Sequence, residues 1–273
     1  MTHMDKKDIL YIAVRAALEA GKRILDIYED PSSDFGIERK ADNSPLTVAD
    51  KASHAVIQSF LSLTPYPVLS EEGRLTDYAE RKGWTTLWVV DPLDGTKEFI
   101  KKNGEFTVNI ALVEKGVPVA GVICVPVKKD LFFALEGWGA YKLPGICGAP
   151  EGGSVDVLAK EACRLPLQKA NREAFVVVAS RSHLTPETEQ YIRGLERQHP
   201  RVQTASSGSS LKICLVAEGS ADVYPRFAPT MEWDTAAGHA IARAAGKEMR
   251  NALTGEPLVY NKEDLLNPWF IVE

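Results

Sequence analysis

The sequence predicts a mixed fold, α+β in its first half and α/β in its second. Three observations carry this. Apolar residues recur at helical spacing near the start of the chain, and from Val68 onward they gather instead into short β-rich runs. A Gly- and Pro-rich stretch, Leu143 to Gly153, divides the chain near its middle. Beyond it, strand-like and helix-like segments alternate.

The first helix is expected over Ile9 to Tyr28, where Leu10, Val14, Ala17, Leu18, Gly21 and Leu25 form one apolar face. Tyr28 to Ser44 is polar and contains Pro31 and Gly36, which predicts loop with a short hairpin. A second helix begins at Thr47, because Thr47-x-x-Asp50 is a capping-box variant ahead of Ala52, Val56, Ile57 and Phe60. Pro65 and Pro67 end it. Strands follow at Val68–Ser70, Leu87–Val90, Val108–Val113, Val117–Val125 and Leu131–Leu135, with Glu114-Lys115-Gly116 as a hairpin turn. In the second half a buried strand is expected at Phe175–Ala179, helices at Pro186–Arg197, Ser209–Ala217 and Thr235–Ala245, and a strand at Ala221–Tyr224. The domains are accordingly placed at residues 1–148, α+β, and 149–273, α/β.

A chain of 273 residues is long enough for two moderate domains. With 45% hydrophobic and 25% charged residues, bulk disorder is excluded. The net charge of −5 argues against binding a nucleic-acid polymer, though not against a small anion held through a cation. The most apolar run, Gly116 to Val127, is too short to span a bilayer and holds Pro118 and Pro126. The first residues, MTHMDKK, lack an apolar signal core. Cys124, Cys147, Cys163 and Cys214 form no C-x-x-C pair and read as reduced, mostly buried thiols of a cytoplasmic protein.

The acids carry the strongest functional signal. Asp91-Pro92-Leu93-Asp94-Gly95-Thr96 directly follows an apolar strand, so Pro and Gly would fix a turn that aims both carboxylates one way. Glu71-Glu72 follows another short strand, and Asp234 stands at the expected N-cap of the Thr235 helix. Crowded carboxylates with no His or Cys nearby suit a hard divalent cation rather than zinc. Each piece also has an ordinary reading: Asp-Gly as a turn, Glu-Glu as a solvated loop, Asp234, Thr47 and Asp50 as helix caps.

Taken together, Asp42-Asn43-Ser44-Pro45-Leu46-Thr47-Val48-Ala49-Asp50, Ser70-Glu71-Glu72, Asp91-Pro92-Leu93-Asp94-Gly95-Thr96 and Trp233-Asp234-Thr235-Ala236-Ala237 resemble the motifs of the inositol monophosphatase superfamily, in that family's order. The resemblance implies a layered αβαβα sandwich related to fructose-1,6-bisphosphatase, and Mg²⁺-dependent, lithium-sensitive phosphomonoester hydrolysis with two or three ions per site. It makes Glu71, Asp91, Asp94, Asp234 and the Leu93 carbonyl the metal ligands. It makes Asp50 and Thr96 the pair that orients and deprotonates the attacking water, with Glu71 counted among the catalytic groups as well. The amides of Gly95 and Thr96 would hold the scissile phosphate.

Within that superfamily the chain is most similar to the CysQ-type 3′(2′),5′-bisphosphate nucleotidases. The similarity rests on Asp91 to Phe99, Ser180-Arg181-Ser182-His183, Gly208 to Lys212, Tyr224-Pro225-Arg226-Phe227 and Leu265 to Phe270. Inositol monophosphatases typically carry Thr-Asn where Lys97-Glu98 stand, and an acid near Arg226. The resemblance implies that Ser209, Lys212 and Arg226 grip a second, non-scissile phosphate and that His183 lies near the nucleotide. Cations at 212 and 226 suit a bisphosphate, which an acid would repel.

The expected activity is removal of the 3′-phosphate of adenosine 3′,5′-bisphosphate, a by-product of sulfate activation and sulfotransfer, with 3′-phosphoadenylyl sulfate as a further substrate. Inositol or sugar monophosphate hydrolysis is the first alternative, and a binding protein without turnover the second. The remaining basic reading is of Lys212 and Arg226 as surface charges, and of His183 as a loop cap. His3, His54, His199 and His239 are taken as structural, and Trp84, Trp88 and Trp138 as packing residues. The expected state is monomer or homodimer, in the cytoplasm or peripheral to the inner face of the cell membrane.

Overall fold

The computed structural model describes residues 4–40, 44–74, 76–150, 152–167, 173–180 and 185–273. In chain order its elements begin with α1 (Lys6–Tyr28), β1 (Glu38–Arg39), β2 (Pro45–Leu46), α2 (Val48–Leu61), β3 (Val68–Ser70), α3 (Tyr78–Arg81), β4 (Thr86–Asp94) and α4 (Thr96–Ile100). They continue with β5 (Thr107–Glu114), β6 (Val117–Val125), β7 (Asp130–Leu135), β8 (Gly139–Leu143), α5 (Val155–Glu161) and β9 (Cys163–Arg164). The remainder is β10 (Phe175–Ser180), α6 (Pro186–Glu196), β11 (Val202–Ser207), α7 (Leu211–Ala217), β12 (Tyr224–Arg226), α8 (Glu232–Ala244), β13 (Met249–Asn251) and β14 (Phe270–Val272).

Strands β3 to β9 form one sheet in sequence order. Only its β3–β4 pair is parallel, the others being antiparallel. Alternation along these strands sends their side chains to two cores. Trp88, Val90, Ile110, Val122 and Phe133 meet α1 and α2 on one face. Leu87, Val89, Ala111, Ile123 and Phe132 meet α7 and α8 on the other. The far side of α7 and α8 is covered by a second group of strands: β11 beside β10, and β12–β14–β13. The two meet where Val178 N–H donates to Val223 O at 2.8 Å. Leu195 of α6 then packs with Val177 and Val223 on the outer face. The result is five layers, helix, sheet, helix, sheet, helix, as the resemblance implies.

One close approach fixes the middle of this stack. A Cβ on Gly121 of β6 would fall 2.4 Å from Ala237 O, so α8 can cross the sheet there only over a glycine.

Several element ends differ from the sequence reading. Asp5 accepts the Lys7 amide and starts α1 three residues early. The expected turn at Asp91–Asp94 is instead the bulged end of β4: Asp91 pairs with Asn109 and Asp94 with Thr107, leaving one extra residue on this side. A bulge tolerates Pro92, whose carbonyl is held by Ser53 Oγ of α2 at 2.7 Å. Helix α8 begins at Glu232, so Asp234 is its third residue and not its N-cap. The reason is Glu232, buried and paired to Lys262 at 2.5 Å, which extends the helix backward. Helix α7 starts at Leu211 and β12 at Tyr224, both later than expected. The cysteines are all free, but Cys147 and Cys163 are exposed, so half rather than most are buried. No helix among the described residues is long and apolar enough to cross a membrane.

Of the histidines and tryptophans read as structural, His54, His199, His239, Trp88 and Trp138 pack against neighbours. His54 Nδ1 lies 3.0 Å from Ser70 Oγ and His239 Nδ1 3.0 Å from Tyr260 Oη. His199 stacks on Phe175 at 4.0 Å. Trp88 is buried and donates to Thr64, while Trp138 packs on Tyr141. His3 and His183 lie outside the described residues.

Candidate phosphate and metal site

The carboxylates converge because of strand register. Parallel pairing sets Ser70 opposite Val90, and the Glu71 amide continues the ladder to Val90 O at 3.1 Å. Glu71 and Asp91 therefore emerge side by side. Asp234 joins them from the first turn of α8, anchored by the Met231 amide at 2.8 Å. Carboxylate oxygens of Glu71, Asp91 and Asp234 all lie within 4.8 Å of one another. Asp91 is 1% exposed.

Burial comes first among the causes that push all three acids up, and repulsion from neighbouring carboxylates adds to it. Asp91 is raised well above the usual carboxylate range, further pushed by Glu71, Asp94 and Asp234. Asp234 is raised to about 8. Lys40 reaches into the cluster, bonding Glu71 Oε1 at 2.6 Å and also Glu72. Burial works against its charge, but the two glutamates prevail and hold its proton more firmly than usual. Lys40 escaped the sequence reading because a single cation in a polar stretch carries no local signal.

A hard-oxygen, all-carboxylate set that repels itself this strongly fits a divalent cation. Asp94 stands outside the three-residue cluster. Its Oδ2 accepts from the Ser210 amide at 2.6 Å, Ser210 Oγ at 2.7 Å and Asn109 Nδ2 at 3.3 Å.

The expected catalytic pair is in contact. Thr96 Oγ1 donates to Asp50 Oδ1 at 3.1 Å, with the Leu93 carbonyl 3.4 Å away. Asp50 Oδ2 accepts from the Thr47 amide at 2.7 Å and Thr47 Oγ1 at 2.5 Å, so the cap of α2 also aims its carboxylate. Burial raises the Asp50 pKa, with Thr47 pulling the other way. Gly95, at φ +96°, turns the chain from β4 into α4 and leaves the Gly95 and Thr96 amides at the open start of that helix. Glu71, Asp91, Leu93, Asp94, Gly95, Thr96 and Asp234 line one cleft of 480 Å³.

A second cavity of 140 Å³ opens beside it, and its lining adds Lys212 and Arg226 to the acids Asp94, Glu98 and Asp234 that it shares with the first. Lys212 is 6% exposed, not the surface charge of the ordinary reading. Its Nζ donates to Ser209 O at 2.6 Å and lies 5.6 Å from the Tyr224 ring centre. Burial pushes the ammonium down to about 8, although Asp94 opposes this. Arg226 extends from β12 and donates through Nη2 to Pro229 O at 3.1 Å. Ser209 Oγ and Arg226 Nε are buried and have no hydrogen-bond partner among the described residues. Ser209 and Arg226 both line this cavity, and unsatisfied polar groups of this kind suit oxygen-rich ligand atoms. Ser209 holds a left-handed backbone, φ 43°, which a serine adopts at a cost.

Asp94, Gly95, Glu98, Thr230 and Asp234 border both cavities. Ser210, missed from sequence, ties them together: its hydroxyl also lies 2.7 Å from Asp234 O and 2.9 Å from Asn109 Nδ2. Its position inside Gly208-Ser209-Ser210-Leu211-Lys212 was the available signal. Thus Ser209, Lys212 and Arg226 are brought together, and the acids with Asp50 and Thr96 stand next to them.

Comparison with known proteins accords with this geometry. The model of the inositol monophosphatase family matches residues 5–268. The 3′(2′),5′-bisphosphate nucleotidase CysQ of Escherichia coli K12 is 46% identical over 263 residues, 94% of this chain and 96% of that protein. The protein of the same name from Salmonella typhimurium is 47% identical over the same shares. The crystal structure of CysQ from Bacteroides thetaiotaomicron, a bacterial member of the inositol monophosphatase family, is 65% identical and superposes with a TM-score of 0.92, covering 98% of this chain and 97% of that one.

Proposed function

Because the chain belongs to the inositol monophosphatase family, we propose that it is a Mg²⁺-dependent phosphomonoesterase that removes the 3′-phosphate of adenosine 3′,5′-bisphosphate, giving AMP and phosphate. 3′-Phosphoadenylyl sulfate, which presents the same 3′-phosphate, is a second substrate in this reading. The observation that carries it is the orphaned Ser209 Oγ and Arg226 Nε beside buried Lys212, one wall away from the acid cluster. A monophosphate needs only the acidic cleft, whereas a bisphosphate uses both.

Glu71, Asp91 and Asp234 would hold the ion, with Asp94 and the Leu93 carbonyl at the edge of the same cleft. A bound divalent cation supplies charge neutralisation for the phosphoryl group and a more acidic water. The chain's own groups do the rest. The start of α4 offers the Gly95 and Thr96 amides to the scissile phosphate. Thr96 gives its hydroxyl proton to Asp50, which leaves a lone pair on Oγ1 to accept a proton from the attacking water. A buried Asp50 with a raised pKa is a better base than an ordinary carboxylate. Glu71, beside Asp91, is the further catalytic carboxylate in this reading.

In this reading residues 1–148 supply the acids and the catalytic pair, and residues 149–273 supply Asp234 and the second-phosphate grip. The assigned place is the cytoplasm, whose reducing conditions suit the exposed thiols of Cys147 and Cys163.

The test is phosphate release from adenosine 3′,5′-bisphosphate, AMP and inositol 1-phosphate, with Mg²⁺ and with EDTA. EDTA-sensitive preference for the bisphosphate is the expected result. Preference for inositol 1-phosphate would retain the acid cluster and overturn the roles of Lys212 and Arg226.

A further inference from the structure

The wall between the two cavities carries one carboxylate that the reading above leaves without a task. Glu98 lies in the first turn of α4 and borders both cavities. Lys97 beside it is exposed, while Glu98 is only half exposed. Its stem is seated against the Gly208 loop: a Cβ on Gly208 would fall 3.1 Å from Glu98 Cγ. No side-chain hydrogen bond occupies its carboxylate among the described residues, although its charge acts on Lys212.

Chemistry limits what can sit beside it. A carboxylate accepts hydrogen bonds and donates none. Phosphate oxygens are repelled there, and carbonyl oxygens gain nothing. A bisphosphate ligand carries no cation, so the partner is an uncharged donor, and because Glu98 borders both cavities that donor belongs to the part of the ligand that links the two phosphates. In a nucleoside 3′,5′-bisphosphate that part is the ribose, and its free donor next to the 3′-ester is the 2′-hydroxyl. Resting on the bisphosphate reading above, we propose that Glu98 is a specificity-determining residue that accepts the sugar hydroxyl adjacent to the scissile ester. An acid in a helix's first turn also favours the helix, but that effect is the same for every substrate.

The experiment compares kcat/KM for adenosine 3′,5′-bisphosphate and its 2′-deoxy counterpart. The two substrates carry equal charge, so any change in general electrostatics cancels in the ratio. The full-length wild-type protein is expected to favour the ribonucleotide by about tenfold, the usual worth of one hydrogen bond to a charged acceptor. Glu98→Ala brings that ratio to within about twofold of one. Glu98→Gln, which keeps an acceptor oxygen, falls between the two. Retention of the full ratio by Glu98→Ala, or a wild-type ratio of one, overturns the proposal. A wild-type protein that hydrolyses inositol 1-phosphate and neither nucleotide shows a different failure, that of the bisphosphate reading itself, and the proposal falls with it.

Discussion

The cleft sets a cluster of carboxylates beside a cavity where Lys212 and Arg226 join the shared acids Asp94, Glu98 and Asp234, and burial disfavours the charge in both. It pushes Asp91 and Asp234 up and Lys212 down. Each charge leans on a neighbour. The acids borrow Lys40, and Lys212 leans on the Ser209 carbonyl. Buried charges persist only where something compensates them, so the acid cluster could hold a cation and, in the proposed reading, the Lys212 side an anion. They also differ in support. The acids stand on paired strand ends and the first turn of α8, whereas Lys212 and Arg226 stand on a seven-residue helix and a three-residue strand.

The largest expected break comes from the acidic side. Asp91→Asn removes the most buried member of the cluster, and kcat for phosphate release should fall on the order of 10³-fold. Wild-type turnover in that variant would remove Asp91 from the site. Thr96→Ala should lower kcat about 10²-fold with KM for the nucleotide little changed, because in the proposed mechanism the lost hydroxyl handles a proton while the amide that meets the phosphate remains. A rise in KM with kcat intact would reassign Thr96 to binding.

A smaller effect separates the compartments by the sign of their pH dependence. Asp234 keeps its proton to about 8 when folded, against an ordinary value of 3.8. The folded chain therefore binds more protons than the unfolded one between those values, and stability falls as pH rises through that window. Lys212 does the reverse. Folded it loses its proton near 8 and unfolded near 10.5, so between those values the unfolded chain binds more protons and stability rises. In chelator-treated protein the Tm should drop by about 5 °C from pH 5 to pH 8. Mg²⁺ should restore more of it at pH 8 than at pH 5, since the ion needs ionised ligands. In Lys212→Met the rise above pH 8 should shrink. A flat Tm for the chelated protein across pH 5 to 8 would contradict the repulsion among Asp91, Asp234 and Glu71.

The two compartments were also unequally legible in the sequence. The acids sit in short motifs, Glu71 and Asp91 after strands and Asp234 at a helix start, and the resemblance of those motifs to a family, not spacing alone, implied them as one set. The long helices α1 and α2 showed through their periodicity, and Thr47 through its capping box. The rest depends on distant partners. Glu232 reads as an exposed acid until Lys262, thirty residues on, buries it and lengthens α8. The strand β14 offers only three residues, too few for a period, yet it pairs with both β12 and β13. Ser210 and Lys40 act through contacts with Asp94 and Glu71 that no spacing announces. The burial of Lys212 was likewise invisible, because it follows from the strands β11 and β12 beside α7 and not from its own neighbours.

The claim that the cleft reads two phosphates with two opposite charges is tested most directly by a cycle between one residue and one substrate group. Wild-type protein and Lys212→Met, which keeps the buried stem but not the charge, are compared on adenosine 3′,5′-bisphosphate and adenosine 3′-monophosphate by kcat/KM. The account predicts that the variant loses about 30-fold on the bisphosphate, the worth of one charge-assisted phosphate contact, and no more than about twofold on the monophosphate. An equal loss on both substrates would contradict it.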